Sequence, residues 1–248
     1  MANVPELKFC SLALRDFRDG TPIPVTWHEK KSAPALGKDD VHIWLANCGQ
    51  GGGKPDVLSD DERSRAAKFR FDRDRDRYTA RRAILRQLVG QYLKTKPSGI
   101  EFAYNELGKP EILQTSADGG LQFNLSKSGE MAAYAFTLGR RIGIDIETIR
   151  PQMDWMEIAE RFFHSQEISM LREVPESDRS ELFFSYWTMK EAYLKARGVG
   201  LQQPLLQMDF AAVVNKGKSV FTDTDGSRWL CGSFRPGEEI IGALVLES

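Results

Sequence analysis

"RIGIDIETIR", residues 141–150, alternates Ile142, Ile144 and Ile146 with Gly143, Asp145 and Glu147. Successive side chains of a β-strand point to opposite faces. The stretch therefore predicts a strand with its isoleucines turned to a core. Its other face carries a glycine and two neighbouring carboxylates. Like charges at that spacing repel, so the pair calls for something positive beside it. An ordinary solvated polar face has the same alternation, and on the strand alone both readings stand.

Working outward, "LQFNLSKSGEMAAYAFTLG" (121–139) reads as two strands around a "SKSGE" turn, and "GIEFAYNELGKPEI" (99–112) as a strand and a turn at Gly108. "LSDDERSRAAKF" (58–69) opens with Ser59 and has Glu62 three residues on, the capping-box pattern of a helix start. A long amphipathic helix follows from Asp72 to Leu93. "DDVHIWLANC" (39–48) reads as a strand and "GQGGGKPD" (49–56) as a loop, while residues 1–40 are rich in proline and charge with weak periodicity. After residue 148, helices are expected near 153–162, 165–173 and 178–197, then strands near 207–214, 228–234 and 240–246. Both halves run strand, helices, strands. The expected architecture is α+β: two similar lobes, residues 1–140 and 141–248, each a small antiparallel sheet packed with helices. No strong sequence repeat supports the symmetry.

Composition narrows the function. The 248 residues, 41% hydrophobic, suffice for a sizeable core. Lys+Arg total 34 against 35 Asp+Glu, which predicts no general attraction to nucleic acid or membranes. Cys10, Cys48 and Cys231 are odd in number and scattered, against a disulfide framework or cysteine metal site. No signal peptide or run of about 18–20 apolar residues occurs. The expectation is a soluble protein of the reducing cytoplasm.

In "ELFFSYWTMKEAYLKARGVGL" (181–201), Phe183, Phe184, Trp187 and Leu194 share a helical arc, with Glu191 inside it and Lys195 at its edge. A carboxylate on an apolar stripe is costly unless paired or metal-bound. A plain i,i+4 Glu–Lys surface pair is the alternative. Gly198 and Gly200 end the helix. Asp145, Glu147 and Glu191 together offer hard oxygen ligands suited to Mg²⁺, which takes one or two protein carboxylates, waters and phosphate.

Between Arg63 and Arg86 stand nine arginines and Lys68 against three aspartates. Most read as a solvated helix face. Arg77 and Arg81 share the arc of Ile84, Leu85, Leu88 and Tyr92 and want an anion, for which phosphate matches the guanidinium fork. "GQGGGKPD" is not a P-loop, since Cys48 and Pro55 stand where Gly and Ser or Thr are needed. His28, His42 and His164 are scattered and read as structural or surface residues.

"GIDIE" (143–147) followed by "FFSYWTMKEAYLKARGVGL" (183–201), with "LGKP" (107–110) and "FNLSKSG" (123–129) upstream, resembles the motifs of the 4'-phosphopantetheinyl transferases, in their longer surfactin-type branch. The resemblance runs from about Leu58 to Leu201. It implies a pseudo-dimer of two α+β lobes with the active site between them. It implies Mg²⁺-dependent transfer of the phosphopantetheine arm of coenzyme A to a serine of an apo acyl or peptidyl carrier protein, releasing 3',5'-ADP, by a monomer. Residue by residue, Asp145, Glu147 and Glu191 match the Mg²⁺ carboxylates. Glu191 also matches a candidate base, and Lys195 a diphosphate or leaving-group contact. Lys109 and Ser126 match coenzyme A contacts, Arg65 and Arg77 basic positions near the 3'-phosphate and adenine, and Glu167 an acidic position sometimes given a catalytic role. Ile168, Met170 and Leu171 match a region that receives the carrier, Leu171 reading rather as helix core. Lys127 stands where the family usually has histidine. It can meet phosphate as a point charge but offers no neutral acceptor near pH 7, which bears on coenzyme A affinity. Two other readings remain: a coenzyme A or nucleotide-binding protein without transferase activity, and a nucleic-acid binder using the arginine cluster. The interleaved aspartates speak against the second.

Overall fold

The alternation of 142–148 becomes a strand covered on both faces. The computed structural model describes residues 6–17, 25–49, 55–106, 108–113, 120–150, 154–199, 205–217 and 219–248. In chain order these form β1 (Leu7–Ala13), β2 (His28–Glu29), β3 (Asp40–Asn47), α1 (Asp60–Ala67), α2 (Asp72–Leu93), β4 (Phe102–Tyr104), β5 (Pro110–Ile112), β6 (Leu121–Ser128), β7 (Met131–Leu138) and β8 (Ile142–Thr148). Then come α3 (Trp155–Phe162), α4 (Ser165–Glu173), α5 (Glu176–Arg197), the short α6 (Ala211–Val214), β9 (Val220–Thr222), β10 (Arg228–Gly237) and β11 (Ile240–Glu247).

Two antiparallel sheets carry the fold, ordered β2-β1-β3-β7-β6 and β8-β11-β10-β9, beside a β4-β5 hairpin. The repeated grammar is a repeated topology. β3 leads through α1 and α2 to the β6–β7 hairpin and pairs with β7. β8 leads through α3, α4 and α5 to the β10–β11 hairpin and pairs with β11. Each half contains one 22-residue helix, α2 or α5.

The sheets meet face to face. Ile142, Ile144, Ile146, Leu244 and Leu246 pack against Val41, Ile43, Leu45, Ala133 and Ala135. On the outer faces, Ala80, Ile84 and Leu88 of α2 cover Trp44, Tyr134 and Phe136, and Met189 and Tyr193 of α5 cover Trp229, Ile241 and Val245. The layers run helix, sheet, sheet, helix. β3 is buried on both faces, which explains its almost unbroken apolar run. Each isoleucine of β8 contributes about 1.5–3 kcal/mol by leaving water.

The lobes are joined along a seam. β6 and β8 are the end strands of their sheets, and they meet through side chains instead of a backbone ladder. The N–H of Ile144 donates to Asn124 Oδ1 at 3.0 Å, that of Ile146 to Ser126 Oγ at 3.3 Å, and that of Thr148 to Ser128 Oγ at 2.9 Å. Exposed edge N–H groups are a liability in any sheet, and polar side chains two residues apart on β6 satisfy them.

The capping box of α1 is present, with Ser59 and Glu62 exchanging both bonds. One expected strand is not there. Residues 207–214 contain the end of a 3-10 turn at Leu205–Gln207 and the helix α6. A short apolar run does not distinguish strand from helix by period. Here the local shape is set from outside: Glu167 accepts the Phe210 N–H at 2.9 Å, and Lys190 Nζ donates to the carbonyls of Leu205 and Met208. Conversely, β1 forms within the segment whose periodicity was weak. The three cysteines are buried free thiols, and among the described residues no helix is long and apolar enough to cross a membrane.

His42 supplies a pH-dependent element of stability. It lies under α2, 2.8 Å from the Tyr92 hydroxyl, which also accepts the Trp44 N–H at 2.8 Å. Burial lowers its pKa to about 4, and nearby Asp40 only partly opposes this. An unfolded histidine titrates near 6.5. Between about pH 6.5 and 4 the unfolded chain therefore binds the extra proton, and stability falls as pH falls through that window. The loss is up to about 3 kcal/mol. Urea unfolding across this range is expected to show a steeper acid-side decline for the wild type than for His42→Asn; parallel profiles would contradict it.

Candidate functional site

Gly143 brings the pieces together. A Cβ built on it would lie 1.9 Å from the Ala192 carbonyl oxygen and 2.5 Å from the Ala196 nitrogen, both backbone atoms of α5. Only a glycine lets helix and strand approach this closely. That contact sets Glu191 and Lys195 beside the carboxylate face of β8. Asp145, Glu147, Glu191, Lys195, Ser126, Lys127 and Trp187 line one cavity of about 400 Å³. The positive groups that the strand calls for are Lys195, whose Nζ is 2.7 Å from Asp145 Oδ1, and Arg150, whose Nη2 is 3.0 Å from Glu147 Oε2. Lys195 Nζ also donates to Ser126 Oγ at 3.0 Å and to the Ile144 carbonyl at 3.3 Å.

Burial raises the Glu191 pKa, Asp145 and then Glu147 raise it further, and Lys195 opposes them. A carboxyl shifted in that direction is a better proton acceptor when ionised than an ordinary glutamate. Asp145 is 4% exposed, and its Oδ2 is buried with no hydrogen-bond partner. Among the described residues, no three acidic, histidine or cysteine side chains are gathered closely enough to hold a metal by themselves. Mg²⁺ does not need three, since it keeps waters and takes phosphate oxygens beside one or two carboxylates. An orphaned buried carboxylate oxygen beside Glu147 and Glu191 fits that donor set.

A second cavity, about 420 Å³, shares Lys127, Glu191 and Lys195 with the first and is otherwise lined by Arg65, Tyr78, Arg81, Arg82, Tyr104 and Lys109 among others. Its walls are basic and aromatic, and the one carboxylate among the described residues that line it, Glu191, belongs also to the first cavity. Arg82 is braced from behind: its Nε donates to Glu62 Oε1 at 2.6 Å, its Nη2 donates to the Tyr104 hydroxyl at 2.6 Å, and its guanidinium lies over the Phe102 and Tyr104 rings. Arg86 holds the other Glu62 oxygen at 2.5 Å. Burial pushes Glu62 up, but Arg82, the Ser59 N–H and Arg86 outweigh it and hold the carboxyl below its usual range.

The β4–β5 hairpin clamps the end of α5 across the lobes. Lys109 Nζ donates to the Lys195 carbonyl at 2.5 Å and Asn105 Nδ2 to the Gly198 carbonyl at 3.1 Å. Gly198 ends the helix in the left-handed conformation, φ 73°. Burial lowers the Lys109 pKa to about 8, with Glu111 opposing and Arg141 adding slightly.

Several anticipated residues stand elsewhere or act differently. Arg77 does not line either of these cavities: its guanidinium pairs with Glu130 at the β6–β7 turn, so its anion is a carboxylate of this chain. Arg81, its neighbour on the same arc, does line the second cavity. Ser126 is 5% exposed, and its hydroxyl is fully used by Asp145, Lys195 and the Ile146 N–H, leaving nothing for a coenzyme contact. Glu167 is fully buried. It pairs with Lys190 Nζ at 2.9 Å and accepts the N–H groups of His164 and Phe210, which makes it an anchor for α4 and the 205–210 turn instead of a proton acceptor for substrate. Leu171 is in the core and Ile168 packs against it. Leu107 lies outside the described residues. Sequence reading passed over Arg82, Tyr104, Arg150 and Ser128. Only Ser128 had a signal, the polar i, i+2, i+4 run of Asn124, Ser126 and Ser128. Another cavity, about 690 Å³, lies apart from the carboxylates, between α4, the first half of α5, α6 and β10.

Comparison with known proteins identifies the family of the chain. Residues 141–242 match the family described as the 4'-phosphopantetheinyl transferase superfamily, and residues 53–138 match the N-terminal region of 4'-phosphopantetheinyl transferases. Over 180 residues the chain is 42% identical to the 4'-phosphopantetheinyl transferase HetI of Nostoc sp., covering 71% of this chain and 76% of that protein. It is 32% identical over 152 residues to a putative 4'-phosphopantetheinyl transferase of Synechocystis sp., 61% of each chain. It is 32% identical over 148 residues to the 4'-phosphopantetheinyl transferase Sfp of Bacillus subtilis, 60% of this chain and 63% of that one. The match thus spans three quarters of the first relative and under two thirds of the other two.

Proposed function

The chain belongs to the 4'-phosphopantetheinyl transferase superfamily, and on that premise we propose that it moves the phosphopantetheine arm of coenzyme A onto a serine of an apo acyl or peptidyl carrier protein. The observation that carries this reading is the junction of the two cavities, where Asp145, Glu147, Glu191 and Lys195 adjoin a basic, aromatic chamber. Coenzyme A offers a complementary shape: an adenine, a 3'-phosphate, a diphosphate and a thin arm. Arg65, Arg81, Arg82 and Lys109 receive the nucleotide end, and Lys127, at the junction, meets phosphate as a fixed positive charge.

The carrier serine oxygen forms a bond to the phosphorus nearest the arm, the diphosphate P–O bond breaks, and 3',5'-ADP leaves. Glu191 takes the serine proton, directly or through a water. Lys195 steadies the leaving phosphate by exchanging one of its three acceptors for a phosphate oxygen. Asp145, Glu147 and Glu191 offer the carboxylates, of which one or two would hold Mg²⁺ beside waters and phosphate oxygens, and the bound cation would neutralise charge developing on the diphosphate. Residues 1–140 form the lobe carrying most of the nucleotide contacts and residues 141–248 the lobe carrying the carboxylates. The protein acts in the cytoplasm as a monomer.

The test is product release. With coenzyme A, Mg²⁺ and an apo carrier, 3',5'-ADP measured by chromatography is expected to appear in step with coenzyme A loss, and not when the carrier's serine is replaced by alanine. Saturable coenzyme A binding with no 3',5'-ADP from any carrier would replace the reading with a binding protein.

A further inference from the structure

We infer that Ser126 and Ser128, from the N-terminal lobe, are positioning residues that orient the C-terminal lobe's metal carboxylates across the seam. The inference rests on the metal reading above and adds residues that it does not include. Three side chains of β6 stand opposite β8 with one repeating geometry. Asn124, Ser126 and Ser128 cap the N–H groups of Ile144, Ile146 and Thr148. Each also faces the β8 residue one position earlier: Gly143, Asp145 and Glu147 in turn. Ser126 Oγ is 2.6 Å from Asp145 Oδ1, and Ser128 Oγ is 3.0 Å from Glu147 Oε2. Opposite Asn124 there is only glycine.

The proton positions follow from counting. A hydroxyl has one proton and two lone pairs. At Ser126 the Ile146 N–H and the Lys195 ammonium both donate, so both lone pairs are used and the proton points at Asp145. At Ser128 the Thr148 N–H donates, the ionised Glu147 carboxylate can only accept the Ser128 proton, and the Thr148 hydroxyl, 3.2 Å away, then donates to the remaining lone pair. The backbone of β8 thereby sets the hydroxyl rotor, and the hydroxyl holds the carboxylate through a single oxygen. Asp145 is left with Oδ2 buried and unpartnered. At Glu147 the bonds from Ser128 and Arg150 both land on Oε2. Side chains that hold a ligand by one atom and leave the other for the metal are worth about 10–100-fold in metal affinity. Because β6 and β8 belong to different lobes, metal affinity depends on their docking.

Asn124 provides the internal reference, since it caps the same edge without touching a carboxylate. The experiment is titration with Mn²⁺, followed by the electron paramagnetic resonance signal of free Mn²⁺, on the full chain saturated with coenzyme A and without carrier. Thermal unfolding is measured on each variant. Ser128→Ala is expected to weaken Mn²⁺ binding about tenfold, Ser128→Thr to restore it, and Asn124→Ala to lower the melting temperature while leaving Mn²⁺ affinity within about twofold. Equal weakening by Asn124→Ala and Ser128→Ala would reduce the serines to structural caps and overturn the inference, as would unchanged affinity in Ser128→Ala. A wild type that transfers the arm while Ser128→Ala binds Mn²⁺ normally defeats this inference alone. Seam-dependent Mn²⁺ binding without transfer defeats the functional reading alone, and a wild type that binds no Mn²⁺ defeats the metal assignment together with this one.

Discussion

Asp145→Ala is expected to lower the rate of arm transfer by about 10³-fold or more, the several kcal/mol that a bound cation contributes to a phosphoryl-type transition state. Two things go at once. The orphaned Oδ2, the best candidate ligand atom in the cavity, is lost. Lys195 also loses its shortest contact, 2.7 Å, and is free to settle elsewhere. Asp145→Asn separates the effects, because it keeps the shape and an acceptor for Lys195 while removing the charge. It is expected to be nearly as inactive, with a melting temperature close to wild type. The assay is carrier modification at saturating coenzyme A and Mg²⁺. Full activity in either variant would remove Asp145 from the metal assignment.

Gly143→Ala is expected to damage stability and activity together. The new methyl would overlap the Ala192 carbonyl and the Ala196 nitrogen. Both are helix backbone, so no side chain can swing aside and α5 must lift from β8. Overpacking of this kind costs about 1–3 kcal/mol, occasionally more, or roughly 10 °C in melting temperature at the upper end for a chain of this size. Because α5 carries Glu191 and Lys195, the same displacement separates them from Asp145. Transfer by the folded fraction is therefore expected to drop by at least tenfold. A variant that melts and works like the wild type would mean that the glycine contact does not set the site.

What could be read beforehand followed local periodicity. The isoleucine alternation of 142–146, the 72–93 helix and the Ser59–Glu62 box each specify structure through neighbours a few residues away. What could not be read are partnerships chosen by the fold. The arc of α2 showed that Arg77 wants an anion, but the carboxylate of Glu130 lies 53 positions on. Glu62 was legible as a cap and not as the acceptor for Arg82 and Arg86, 20 and 24 residues later. Ser126 carried the right motif, yet only the seam shows that its hydroxyl is spent on Asp145 and Lys195. Glu167 looks like any acidic residue at a helix start until Lys190 is seen beside it in the core. The 207–214 segment failed for the same reason, its helical turn being held by Glu167 and Lys190.

The most direct measurement is the intact mass of an apo carrier protein after incubation with this protein, coenzyme A and Mg²⁺, alongside a sample containing EDTA. The account predicts a gain of one phosphopantetheine on the carrier serine and no gain with EDTA. A carrier left unmodified across acyl and peptidyl types, while coenzyme A still binds, would contradict it, and modification that persists undiminished in EDTA would contradict the role given to Asp145, Glu147 and Glu191.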